Sequence, residues 1–174
     1  KRWDSKKAEF LYKMALKIQE SVLGCDHLDT ANTYNNIAYL YKCRDEKGDK
    51  NRAEEYYLKA ITTQEKFLDG ENIHLAMTYN NLATLYLDRN QDDDLNEAAK
   101  LYFKAISIWE KKLGKVHPKI ALAYCNLSAV YQERHQPGDC KQAELLLRNA
   151  VDIFEATLGE EHPYSAAAYN NLGS

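Results

Sequence analysis

One phrase returns along this chain at a constant distance. Tyr34-Asn35-Asn36-Ile37-Ala38 reappears as Tyr79-Asn80-Asn81-Leu82-Ala83, as Tyr124-Cys125-Asn126-Leu127-Ser128 and as Tyr169-Asn170-Asn171-Leu172, stepping by 45 residues each time. The same step links Ala8, Ala53, Ala98 and Ala143, and again Ala15, Ala60, Ala105 and Ala150. Glu20, Glu65, Glu110 and Glu155 keep it, as do Leu23, Leu68, Leu113 and Leu158. A period of this size means that a small unit is stacked on copies of itself, because so short a unit cannot bury its apolar face alone.

Each period holds two amphipathic helices. The first, 28–44 in the first complete unit, places Tyr34, Ile37, Ala38 and Tyr41 on one face, and the second, 50–68, does the same with Ala53, Tyr57, Ala60, Ile61 and Leu68. Residues 1–174 thus read as one solenoid fragment: a second helix at 4–23, units at 28–68, 73–113 and 118–158, and a partial first helix at 163–174. Alanine methyls let neighbouring helices approach closely, and aromatic rings fill the space beside them. The helix ends are marked as well. Asp4, Asp49, Asp94 and Asp139 stand just before the second helices as expected N-caps, and Asp94 with Glu97 and Asp139 with Gln142 have capping-box spacing. Gly24, Gly114 and Gly159 fall where a left-handed stop is expected, and Pro118 and Pro163 open first helices where no N–H donor is needed.

With 45% hydrophobic and 28% charged residues, the chain has enough apolar mass for a substantial core. Its net charge of −3, with both signs interspersed, argues against a nucleic-acid or membrane-surface partner. No apolar run approaches the ~18 residues of a membrane span. Cys25, Cys43, Cys125 and Cys140 form no C-x-x-C pair and share no repeated position, so free thiols in a reducing, cytoplasmic setting are expected. The chain opens at Lys1 without a signal-peptide pattern and stops inside a repeated phrase, as an excerpt of a longer protein would.

Tyr34, Ile37, Ala38 and Tyr41, followed by Ala53 and Tyr57, resemble the tetratricopeptide signature; Tyr79, Leu82, Ala83, Tyr86, Ala98 and Tyr102 match it again. Tyr124, Leu127, Ser128, Tyr131, Ala143 and Leu147 match with two softened positions. The connecting phrases L-G-K-V-H-P at 113–118 and L-G-E-E-H-P at 158–163 look like the kinesin light chain variety of this repeat. The resemblance implies an all-α fold, a right-handed α-solenoid of antiparallel helix pairs, with first helices lining a concave ligand groove. Ala38 to Ala53 spans 15 residues, longer than the generic signature, and every unit shares this length. The addition implies either a longer first helix or a regular loop along one edge.

On this resemblance Asn36, Asn81, Asn126 and Asn171 face or border the groove. An amide offers a donor and an acceptor together, so a row of them can grip the backbone of an extended peptide whatever its side chains. The competing reading has the same amides bonding to a neighbouring helix and setting the packing angle. Asn35, Asn80 and Asn170 precede three of them, with ligand contact and simple solvation both open, and Cys125 breaks that row. Met77, Leu122 and Tyr39 would supply apolar contact, although Tyr39 also reads as an ordinary half-buried tyrosine. Arg44, Arg89 and Arg134 form a second ladder near the ends of the first helices. They either offset the negative helix end, with a salt bridge to Glu54 or Glu144, or capture carboxylates on an acidic peptide.

His27, His117 and His162 share one position, filled by Asn72 in the remaining unit; this interchange fits a helix-start or turn residue rather than a metal ligand. Asp92, Asp93 and Asp94, in the lengthened turn, read as a solvated cap rather than a calcium loop. The sequence carries no phosphate-binding glycine loop, nucleophile elbow or zinc-protease motif, and no cofactor is expected. These observations point to a non-catalytic protein–protein interaction module that binds a peptide or unstructured segment. Two alternatives stay open. One is a structural scaffold segment that self-associates end to end through Ala8, Tyr12 and Ala15 and through Tyr169 and Leu172. The other is a regulatory arm of a larger signalling enzyme or receptor.

Overall fold

The computed structural model describes residues 2–68, 70–91 and 93–173, apart from the side chains of residues 2–4. Those residues form helices α1 (Arg2–Val22), α2 (Leu28–Arg44), α3 (Asp49–Phe67), α4 (Ile73–Arg89), α5 (Asp94–Leu113), α6 (Pro118–Arg134), α7 (Asp139–Leu158) and α8 (Pro163–Leu172), with no strand among them. The even-numbered helices are the first helices of the repeat, the odd-numbered ones the second. The chain divides into two compact units, Lys1–Leu85 and Tyr86–Ser174. In the first, α2 packs on α1 and α3; in the second, α6 packs on α5 and α7, and α7 on α8.

The repeated alanines do what their size predicts. Ala38, Ala53, Ala60, Ala83, Ala98, Ala105 and Ala150 are wholly buried, and the side chains beside them (Ile37, Tyr57, Leu82, Tyr102, Leu127) are buried with them. Burying each of the larger aliphatic side chains stabilises the fold by about 1.5–3 kcal/mol. Each tyrosine that opens the recurring phrase meets a repeated glutamate. The Tyr34 hydroxyl donates to Glu20 at 2.7 Å and Tyr124 to Glu110 at 3.2 Å, and Tyr79 and Tyr169 donate likewise to Glu65 and Glu155. Two of the sequence ladders are therefore one device, in which a first helix is bonded to the second helix of the preceding repeat. Burial, reinforced by the carboxylate, pushes the Tyr34, Tyr79 and Tyr124 hydroxyls above their ordinary pKa.

Helix starts follow the sequence reading at the histidines. His27, His117 and His162 are N-caps whose Nδ1 accepts the backbone N–H of Asp29 (3.1 Å), Lys119 (3.2 Å) and Tyr164 (3.1 Å). Asn72 Oδ1 accepts from His74 at 2.8 Å in the same way, so the two residue types interchange because both present an acceptor at one position. We expect His117→Ala to cost about 1 kcal/mol in urea unfolding and His117→Asn to cost little.

At the second helices the reading needs correction. Asp49 and Asp139 lie inside α3 and α7, whose N-caps are Gly48 and Gly138; Asp93 caps α5, and none of the three makes a side-chain cap bond. The capping boxes do not form, since the carboxylates of Asp94 and Asp139 turn back toward the preceding helix. The Asp4 side chain and Asp92 lie outside the described residues. Gly114 (φ 83°, ψ 162°) and Gly159 (φ 89°, ψ 160°) pair a positive φ with an extended ψ, a region open essentially to glycine alone and different from the expected left-handed stop.

Candidate functional site

The turn that joins α2 to α3 explains the arginine ladder. Arg44 ends α2, and its guanidinium grips the Asp49 carboxylate through two bonds, Nε–Oδ2 at 2.6 Å and Nη2–Oδ1 at 2.7 Å. Arg89 takes Asp94 at 2.8 and 2.7 Å, and Arg134 takes Asp139 at 3.0 and 2.7 Å. A second lone pair of each aspartate accepts a turn N–H, from Glu46 (3.1 Å), Gln91 (3.0 Å) and Gln136 (2.9 Å). Each guanidinium also lies over the tyrosine three residues earlier, with centroid distances of 5.0 Å for Tyr41, 5.1 Å for Tyr86 and 4.8 Å for Tyr131. The longer repeat is thus accommodated as a regular clasped loop. Planar bidentate pairing of this kind is what the guanidinium shape favours.

The arginines, read either as helix-end partners or as binders of a peptide's carboxylates, hold carboxylates of their own chain. The partner is the aspartate five residues on, in place of the expected Glu54 or Glu144; Glu144 pairs instead with Arg148. The constant five-residue step from arginine to aspartate is the signal in the sequence that marks the pairing. The arginine bonds hold the Asp49, Asp94 and Asp139 carboxyls below the usual range. Glu9, on α1, joins the first clasp by accepting from Arg44 and, at 2.9 Å, from Tyr41. Burial alone would raise its pKa, but the bonds from Lys13, Tyr41 and Arg44 prevail and bring it to about 2.

The asparagines lie on the first helices. Asn36 and Asn171 are exposed, while Asn35, Asn80, Asn81 and Asn126 are half-buried. Within the first unit the Asn81 amide Nδ2 donates to Asn35 Oδ1 at 3.3 Å, joining the second asparagine of one phrase to the first asparagine of the preceding one. Beside them Tyr39 is 53% and Met77 38% exposed; in the second unit Leu122 is 38% exposed. These side chains are accessible, and the pairing of Asn35 with Asn81 adds a bond that periodicity alone does not suggest. At the Asn35 position the second unit carries Cys125 as well as Asn170; Cys125 is half-buried, and burial pushes its thiol up to about 11. It cannot supply an amide oxygen.

All four cysteines are free thiols. Among the described residues no group of His, Cys, Asp and Glu could hold a metal ion, and no helix is long and apolar enough to cross a membrane. What the first-helix faces offer is amide donors and acceptors beside exposed apolar side chains.

Helix pairs repeated at one period, with clasped turns and polar first-helix faces, define an all-α helical-repeat scaffold. The tetratricopeptide repeat profile matches residues 30–69, 75–119 and 120–164, and the chain belongs to that family. Such repeats are generally protein-interaction modules. No curated protein matches the chain. Among solved structures, the putative kinesin light chain nearly identical TPR-like repeats of Podosopora anserina superpose with a TM-score of 0.80 at 25% identity, covering 98% of this chain and 77% of that one. A single-substitution variant of the same repeats gives 0.81 at 24% identity, covering 98% and 76%. BtubC (BKLC) from P. vanneervenii gives 0.76 at 28% identity, and there 92% of this chain spans 60% of the other. The repeats are thus of the kinesin light chain-like kind.

Proposed function

We propose that this chain is a non-catalytic module that takes a peptide or unstructured protein segment on the exposed faces of its first helices. The observation that carries this reading is the exposure of Asn36, Tyr39 and Met77 on the first helices, beside an Asn81–Asn35 pair whose 3.3 Å bond links neighbouring helices as the competing reading expects. Each amide keeps hydrogen-bonding capacity beyond that bond, which an extended backbone can use, and Tyr39 and Met77 offer apolar contact to its side chains. In the second unit Asn126, Asn171 and Leu122 supply the same chemistry. The free thiols accord with a cytoplasmic setting. Substituting Asn81 and Asn126 together by alanine is expected to weaken capture of partner protein at least tenfold in a pull-down. The midpoint of thermal unfolding should change by only a few degrees, since the one long amide bond lost contributes about 0.5–1.5 kcal/mol. Unchanged capture, or a large loss of stability, would assign the asparagines to packing instead.

End-to-end self-association is a second reading. Ala8, Tyr12 and Ala15 are half-buried, whereas Ala53, Tyr57 and Ala60 at the equivalent positions of α3 are wholly buried. Light scattering over a range of concentrations separates the two, because self-association raises the mass with concentration and peptide capture does not.

A further inference from the structure

The outward face of α1 carries two apolar residues where the other second helices carry one or none at the same positions. Phe10 and Met14, one helical turn apart, are 63% and 47% exposed. Their equivalents are Glu55 and Lys59 in α3, Lys100 and Lys104 in α5, and Leu145 and Asn149 in α7; none of them is buried. Packing of one repeat on another leaves this position open in every one of those helices, so it does not account for apolar residues here. Leu11 and Ile18, also exposed in α1, are different: Leu146 at the position of Leu11, and Thr63, Ile108 and Ile153 at the position of Ile18, are buried by repeat packing.

Among the described residues of α1 the exposed charge has one sign. The exposed residues of α1 among those described include Lys6, Lys7, Lys13 and Lys17 and no acidic side chain, in a chain whose net charge is −3. Lys13 bonds Glu9 at 2.7 Å and still keeps half of its surface.

We propose that this face is a second interaction surface, separate from the asparagine-bearing faces, and that it docks an amphipathic helical segment of a partner protein with acidic residues flanking its apolar side. The lysines select the acidic flank and steer encounter, while Phe10 and Met14 act as anchors. Two apolar anchors suit a docked helix better than a membrane surface, where binding scales with the apolar area inserted.

The test uses this chain and a fluorescein-labelled helical probe peptide, about 20 residues long, with leucine on one side and glutamate on the other. Fluorescence anisotropy should show binding that weakens steeply as salt is raised from low to physiological levels. Phe10→Glu with Met14→Glu, or Lys6→Glu with Lys17→Glu, should raise the dissociation constant at least tenfold. Circular dichroism should stay unchanged, because none of these side chains is in the core, and Asn81→Ala should leave the affinity unaltered. Several outcomes would overturn the proposal: no binding, equal binding to a probe with lysine in place of glutamate, binding indifferent to both double variants, or preferential binding to phosphatidylserine vesicles. So would concentration-dependent dimerisation abolished by Phe10→Glu, which would make the occupant a second copy.

Discussion

Arg44→Met is expected to destabilise the protein by about 3–5 kcal/mol, because it removes the bidentate partner of a buried carboxylate and leaves only the more exposed Arg52, 3.6 Å away. The Asp49 side chain is fully buried and that of Arg44 only 8% exposed, so water cannot replace the lost bonds. Glu9 loses a partner in the same step. Adding Asp49→Asn should recover part of the loss, since the amide oxygen can still accept the Glu46 N–H while the stranded charge disappears. A double-mutant cycle by urea unfolding measures this: the pair should cost clearly less than the sum of its singles. Additive losses would mean that the clasp contributes little beyond two independent side chains. The cycle also separates a structural arginine from a ligand-binding one. If Arg44→Met left stability intact and abolished peptide capture, the guanidinium would be serving a partner.

The second large effect is expected in acid. Asp49, Asp94 and Asp139 have folded pKa values below the ordinary carboxylate value of about 3.9, because arginine bonds favour the charged form. Glu9 is held at about 2. Between the folded and unfolded pKa the unfolded chain binds more protons, so the stabilisation from these groups is complete above the unfolded value and is lost as pH falls through the folded one. The thermal midpoint should therefore vary little from pH 7 to about pH 5 and then drop by roughly 10 °C or more toward pH 3. The clasp sits in partly buried surroundings, so added salt should soften the drop only slightly. A midpoint that stayed level down to about pH 3 would contradict the clasp as the main charged element of the turns.

Much of this was legible in the residues. The 3.6-residue spacing of Tyr34, Ile37, Ala38 and Tyr41 places one helix, and α2 ends at Arg44 as the spacing predicts. Pro118 and Pro163 open α6 and α8, and the His/Asn interchange marks the first-helix N-caps. These are local matters, decided by neighbouring backbone and side chains within one turn of helix. Asp49 misleads for the same reason. Its position next to a helix start looks like a cap, yet its carboxylate is drawn away by a guanidinium that becomes its neighbour only once the turn is formed.

The sequence by itself determined the period, the two-helix unit and the buried alanine and tyrosine faces, because helix amphipathicity is written in residues three and four apart. Tertiary structure alone decided which polar groups meet. Tyr34 reaches Glu20, Arg44 reaches Glu9, and Asn81 reaches Asn35 across 46 residues. Those choices depend on distances between packed helices, where a shift of one or two ångströms makes or breaks a hydrogen bond, and no pattern within a single helix records them.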